Sequence, residues 1–135
     1  MSRSPVDELL SAIDRLDVDR AMALFAPEAR LLAVDGRRAQ GTDAVRELLG
    51  ELVASLRATT HRVTTQWHVD DVWIAEVDAS YEFQDFLQLN DLPRAFVLRT
   101  AGDGIGDLRV YGAHERPLAD ADEGTWAGSL WVPPL

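Results

Sequence analysis

Val72-Trp73-Ile74-Ala75-Glu76-Val77-Asp78-Ala79-Ser80-Tyr81-Glu82-Phe83 is the stretch that decides the fold. Trp73, Ala75, Val77, Ala79, Tyr81 and Phe83 share one parity, while Glu76, Asp78, Ser80 and Glu82 share the other. Successive strand residues point to opposite sides, so this pattern predicts a half-buried antiparallel strand with an apolar inner face. The preceding segment, Thr59–Val69, alternates as well. It sorts His61, Val63, Thr65, Trp67 and Val69 against Arg62, Thr64, Gln66 and His68, with Asp70-Asp71 as the turn. Asp85–Asp91 reads as a looser connection. Pro93–Thr100 and Ile105–Glu115 read as the last two strands, joined by Ala101-Gly102-Asp103-Gly104. Thr59 to Pro117 is therefore expected to form four long antiparallel strands.

The residues before this stretch have helical spacing. Ser4-Pro5 starts a helix, with the serine accepting a backbone N–H and proline fixing the first turn. Val6, Leu9, Leu10 and Ile13 form its apolar stripe. Asp17 starts a second helix that carries Val18, Ala21, Met22 and Phe25 inward, and Pro27 stops it. Arg30–Gln40 reads as a short hairpin around Asp35-Gly36, a dipeptide suited to a two-residue turn of the primed type. Thr42 is the expected cap of a third helix, whose stripe is Val45, Leu48, Leu49, Leu52, Val53 and Leu56. Gly50 interrupts that helix at a cost of about 1 kcal/mol relative to alanine, and close packing is the expected reason. The class is α+β, with three N-terminal helices packed on an antiparallel sheet of four long strands plus a short hairpin.

The chain has 135 residues, which suits one domain and a core that needs no metal or disulfide to hold it. It has no cysteine, and all thirteen basic residues are arginine. Thiol nucleophiles, lysine Schiff bases and a phosphate-loop lysine are thereby excluded. A net charge of −10 argues against nucleic acid and against an anionic membrane surface as partners. The amino terminus has no apolar signal core and no run reaches transmembrane length, so the expected location is cytoplasmic. After Pro117 the composition shifts to an acidic, small-residue segment at 119–124 and then to a tail with Trp126, Leu130, Trp131 and two prolines. The organisation read from this is a domain at 1–118 and an acidic linker with a Trp/Pro-containing tail at 119–135.

Four stretches carry a family resemblance: Asp17–Ala29, Gly41-Thr42-Asp43-Ala44-Val45, His61-Arg62-Val63-Thr64 and Arg109-Val110-Tyr111. With the order of elements, they resemble the SnoaL-like branch of the nuclear-transport-factor-2-like superfamily, over about residues 6–118. The resemblance implies a cone-shaped roll with a strongly curved sheet and a homodimer. It leaves the function open, because the fold hosts isomerases, cyclases, epoxide hydrolases and binding modules. In ketosteroid isomerase relatives a first-helix tyrosine falls on or near Leu9, the proton-abstracting aspartate near Leu32, and a protonated aspartate near Phe96. The histidine of polyketide cyclases falls at that last place too. The last-strand carboxylate of cyclases and limonene epoxide hydrolases falls on Val110. All four positions are apolar here. Glu76-Val77-Asp78 looks like the epoxide hydrolases' Arg-x-Asp, but its parity puts both carboxylates outside, where Arg62, Arg99 or Arg109 can pair with them.

The inward face then offers few polar groups: His61, Thr65, Tyr81, Thr100, His114 and Arg94 at a strand start. His61 and His114 are the candidate acid or base, since imidazole titrates near neutral pH, and Tyr81 is a candidate hydroxyl donor. Leu9, Leu32, Val63, Trp67, Val77, Phe96, Leu98, Leu108 and Val110 are the candidate ligand-binding wall. His61 and His68 differ in parity, so they cannot meet at a metal without a bulge, and neither a metal nor a cofactor is expected. The reading ranks a binder of a small, largely apolar organic molecule first. An isomerase, cyclase or epoxide-hydrolase-type enzyme using His61 or His114 comes second. A structural dimerisation module comes third.

Overall fold

Ser4 opens the first helix: its hydroxyl oxygen accepts the Asp7 N–H at 3.0 Å, and α1 runs Pro5–Asp14. The computed structural model describes residues 4–112; His114 and the tail at 119–135 lie outside the described residues. Asp17 caps α2 (Val18–Met22) by accepting the Arg20 N–H at 3.0 Å. This helix ends earlier than its stripe suggests, and Phe25 already belongs to β1 (Phe25–Leu32). The sheet overrides local spacing here, because the Ile105 N–H donates to the Leu24 carbonyl at 2.8 Å and draws the chain into register beside it. Pro27 is tolerated because the pairing is irregular between Phe25 and Arg30, so no regular ladder bond is lost.

The hairpin between β1 and β2 (Arg38–Gln40) has a three-residue loop, not the expected two-residue turn. Ala33 donates to Arg37 O at 2.8 Å and Gly36 donates to Ala33 O at 2.9 Å, with Gly36 at φ +93°. A left-handed glycine closing a turn of this length is a common alternative for such a sequence. Helix α3 spans Thr42–Ala54; its cap is Gly41, and Thr42 is the first helical residue, its hydroxyl donating to Pro27 O at 3.2 Å. Gly50 is not closely packed, since a Cβ built there meets no atom within 4 Å.

Four long strands follow: β3 (Leu56–Val69), β4 (Val72–Phe83), β5 (Gln88–Ala101) and β6 (Gly104–Gly112). Part of the expected loose connection is thus strand, with pairing irregular between Ala79 and Tyr81 and Asp91 at φ +55°. The sheet order is β2-β1-β6-β5-β4-β3. The long strands pair antiparallel, but β1 joins β6 in parallel, so the curved, unclosed six-stranded sheet is mixed. None of the described helices is long and apolar enough to cross a membrane.

One irregularity changes the reading of β3. Val63 pairs with Val77, yet Thr65 pairs with Glu76, so one extra residue is inserted and parity reverses beyond it. His61 and Val63 keep the inner face. Thr65, Trp67 and Val69 move to the outer face, and Gln66 and His68 turn inward beside Ala75 and Trp73. Trp67 is accordingly 48% exposed, against the expectation that it walls the cone. His68 now shares a face with His61 but stacks on Trp73, with ring centroids 3.7 Å apart.

The core lies between the inner sheet face and the helices. Val6, Leu9, Val45, Val77, Leu98 and Ile105 are its largest fully buried side chains. Each stabilises the fold by roughly 1.5–3 kcal/mol relative to exposure. Outside, Arg62 Nη2 meets Asp78 Oδ2 at 2.7 Å across β3 and β4, and Glu76 is exposed, as the parity argument requires.

Candidate active site

Asp14 is the last residue of α1, where the negative end of the helix dipole disfavours a carboxylate. It is held there by β3. Asp14 Oδ1 lies 2.7 Å from His61 Nδ1, and Asp14 Oδ2 accepts the His61 backbone N–H at 3.3 Å. An ionised carboxylate can only accept, so the bond runs from Nδ1–H to Asp14. The imidazole is nearly sealed, with its side chain 3% exposed. Tyr81 and Phe96 meet it edge-on, at centroid distances of 5.8 and 5.9 Å. Among the described residues, no hydrogen bond is made by Nε2.

His61 lines a partly open cavity of about 120 Å³ between α1, α3 and the inner sheet face. Of the residues expected there, His61, Tyr81, Phe96, Leu108 and Val110 line it. Leu9, Val77 and Leu98 face inward but are absorbed into the core. Leu32 points away and Leu31 takes its place, because residues of opposite parity on β1 occupy opposite faces. Val63 instead borders an open groove beside α1, together with Asp14 and the other side of His61. Arg94 is buried at 3% on the Phe96 face of β5, its guanidinium carbon 5.8 Å from the Tyr81 ring centre and its Nη1 donating to Pro93 O at 3.2 Å. Among the described residues, no three histidine, aspartate or glutamate side chains group to hold a metal ion.

A profile of the SnoaL-like domain matches residues 6–109. The chain belongs to the SnoaL-like family. Solved structures with the same fold include a ketosteroid-isomerase-like protein from Catenulispora acidiphila, in complex with trimethylamine. It is 17% identical, covers 88% of this chain and 92% of its own, and has a TM-score of 0.77. An NTF2-like protein of unknown function from Burkholderia pseudomallei is 15% identical over 81% and 88% of the two chains, at a TM-score of 0.72. A limonene-epoxide-hydrolase-like epoxide hydrolase from Mycobacterium tuberculosis is 16% identical over 81% and 80%, at 0.69. No curated protein matches the chain.

Within this SnoaL-like domain, Asp14 is the site residue that sequence reasoning missed. Its signal was present: an acid in the final helical turn, four residues after the inward Leu10 and beside Ile13, on the edge of a buried stripe. Such a carboxylate calls for a donor from another element. The α3 stripe also proves to be more than core, since Leu49, Leu52 and Val53 line the cavity. The arrangement can take a proton from, or return one to, a molecule held in the cavity, because an oriented imidazole with a carboxylate behind it is a competent acid–base pair.

Proposed function

We propose that the cavity takes up a small, largely apolar, uncharged organic molecule and that His61, oriented by Asp14, acts on it as general base. The observation that carries this reading is the 2.7 Å contact between Asp14 Oδ1 and His61 Nδ1, with His61 among the residues that line the cavity. The lining supports the ligand class: among the described residues, Ser55, His61 and Tyr81 are its polar groups, and no described aspartate, glutamate or arginine lines it. An apolar cavity of about 150 Å³ holds benzene, which sets the scale for the compact molecule this one suits. The homodimer implied by the family resemblance and a cytoplasmic location belong to the same proposal.

A binder without catalysis is the second reading. Phe96 and Val110, both on the cavity wall, stand where the resemblance places catalytic polar groups in relatives. One reaction separates the two. The base-promoted opening of 1,2-benzisoxazole moves the C3 proton to the base and breaks the N–O bond, giving 2-cyanophenolate. The first reading expects the wild-type chain to accelerate this opening, with the His61→Gln variant slower by about 10²–10⁴-fold and benzene still bound. Equal rates for the two proteins, with binding intact, would leave the binder.

A further inference from the structure

A second concavity lies on the other side of the sheet. Arg30, Arg38, Arg109, Gln40, Leu32 and Asp107 border a cleft of about 380 Å³ across β2, β1 and β6. Strand register brings them together: Arg30 stands opposite Gln40 on one side and Asp107 on the other, and Leu32 lies between Arg38 and Arg109. Leu108 and Val110, which flank Arg109 on β6 with the opposite parity, line the inner cavity, so this cleft opens on the outer face.

Among the described residues, three guanidiniums therefore share one opening with a single carboxylate, in a chain whose net charge is −10. Arg109 Nε sits 3.5 Å from Asp107 Oδ2. Among the described residues, the Arg30 and Arg38 side chains make no hydrogen bond or ion pair. Their neighbour Arg37 is different, since it reaches Asp35 and Glu51 at 2.9 Å each. Among the described residues, Asp107 alone offsets the three guanidiniums, which leaves the cleft an excess of positive charge. A bound anion would relieve it.

We propose that this cleft binds a small phosphate-bearing molecule. A planar carboxylate satisfies one guanidinium fork, whereas a tetrahedral phosphate presents several oxygens to forks arriving from separate strands. Leu32 supplies an apolar floor between Arg38 and Arg109, and the Gln40 amide adds a donor at the rim. The site is separate from the His61 cavity, so it stands or falls independently of the proposed catalysis.

The test is calorimetric titration of inorganic pyrophosphate into the full chain at fixed ionic strength. It compares the wild type, the Arg30→Gln/Arg38→Gln double variant and an Arg37→Gln control. The expected result is binding by the wild type and the control, weakened about tenfold or more in the double variant. The proposal is overturned if the wild type does not bind, or if the double variant binds as tightly as the control. It is equally overturned if sedimentation shows the double variant losing a dimer while no protein binds pyrophosphate, because the cleft would then be a contact between copies.

Discussion

Asp14 and His61 are 47 residues apart in the chain and 2.7 Å apart at Oδ1 and Nδ1. The contact ties the end of α1 to β3 and gives both carboxylate oxygens a donor, one from the ring and one from the backbone N–H. It also holds the ring against Tyr81 and Phe96.

Removing the carboxylate leaves a nearly sealed imidazole N–H without its acceptor. Asp14→Ala is expected to lower unfolding stability by about 1–3 kcal/mol, the cost of an unsatisfied buried polar group. Asp14→Asn keeps one acceptor oxygen for Nδ1, so its loss should be smaller, though not zero, because its NH₂ then meets the His61 N–H donor to donor. Urea unfolding with an unchanged slope measures both. An Asp14→Ala variant as stable as the wild type would mean that the contact is not maintained in solution.

Much of the frame was legible because its signals are local. The β4 alternation, the Ser4 and Asp17 caps and the α3 stripe each follow from residues within a few positions of one another. The register of β3 was not legible. Nothing local marks the extra residue between Val63 and Thr65; it arises from pairing with β4, and it moves Trp67 out and Gln66 and His68 in. The end of α2 differs for the same reason, since sheet pairing overrode local preference, whereas the loop at Gly36 is a second turn that the same local sequence allows. The candidate site was half legible. His61 was found by its type on an inward face, whereas Asp14 depended on a contact between two elements distant in sequence.

Gly50 offers a test in the helix beside the cavity. It lies inside α3, and a Cβ there meets nothing within 4 Å. Glycine in a helix interior costs about 1 kcal/mol relative to alanine through the freedom it loses on folding. Gly50→Ala is therefore expected to raise stability by about 0.5–1 kcal/mol in urea unfolding. A loss of stability would show that the position is as closely packed as its sequence context suggested.

The reversed parity of β3 gives the last prediction, in which two substitutions exchange their intuitive effects. Trp67 is large and aromatic, but it lies on the outer face with 48% of its surface exposed. Val110 is modest in size, but it lines the cavity with Phe96 and Leu108. Trp67→Ala should leave benzene uptake unchanged and cost less than about 1 kcal/mol, as expected of a surface site. Val110→Phe should place a ring inside a space of about 120 Å³ and abolish uptake. Its own stability should change by less than about 1–3 kcal/mol, because the added atoms enter a void rather than a filled core. Benzene-dependent shifts of the Tyr81 and Phe96 ring resonances read out both variants. Loss of uptake in Trp67→Ala, with uptake retained in Val110→Phe, would return Trp67 to the cavity wall and contradict the pairing of Thr65 with Glu76.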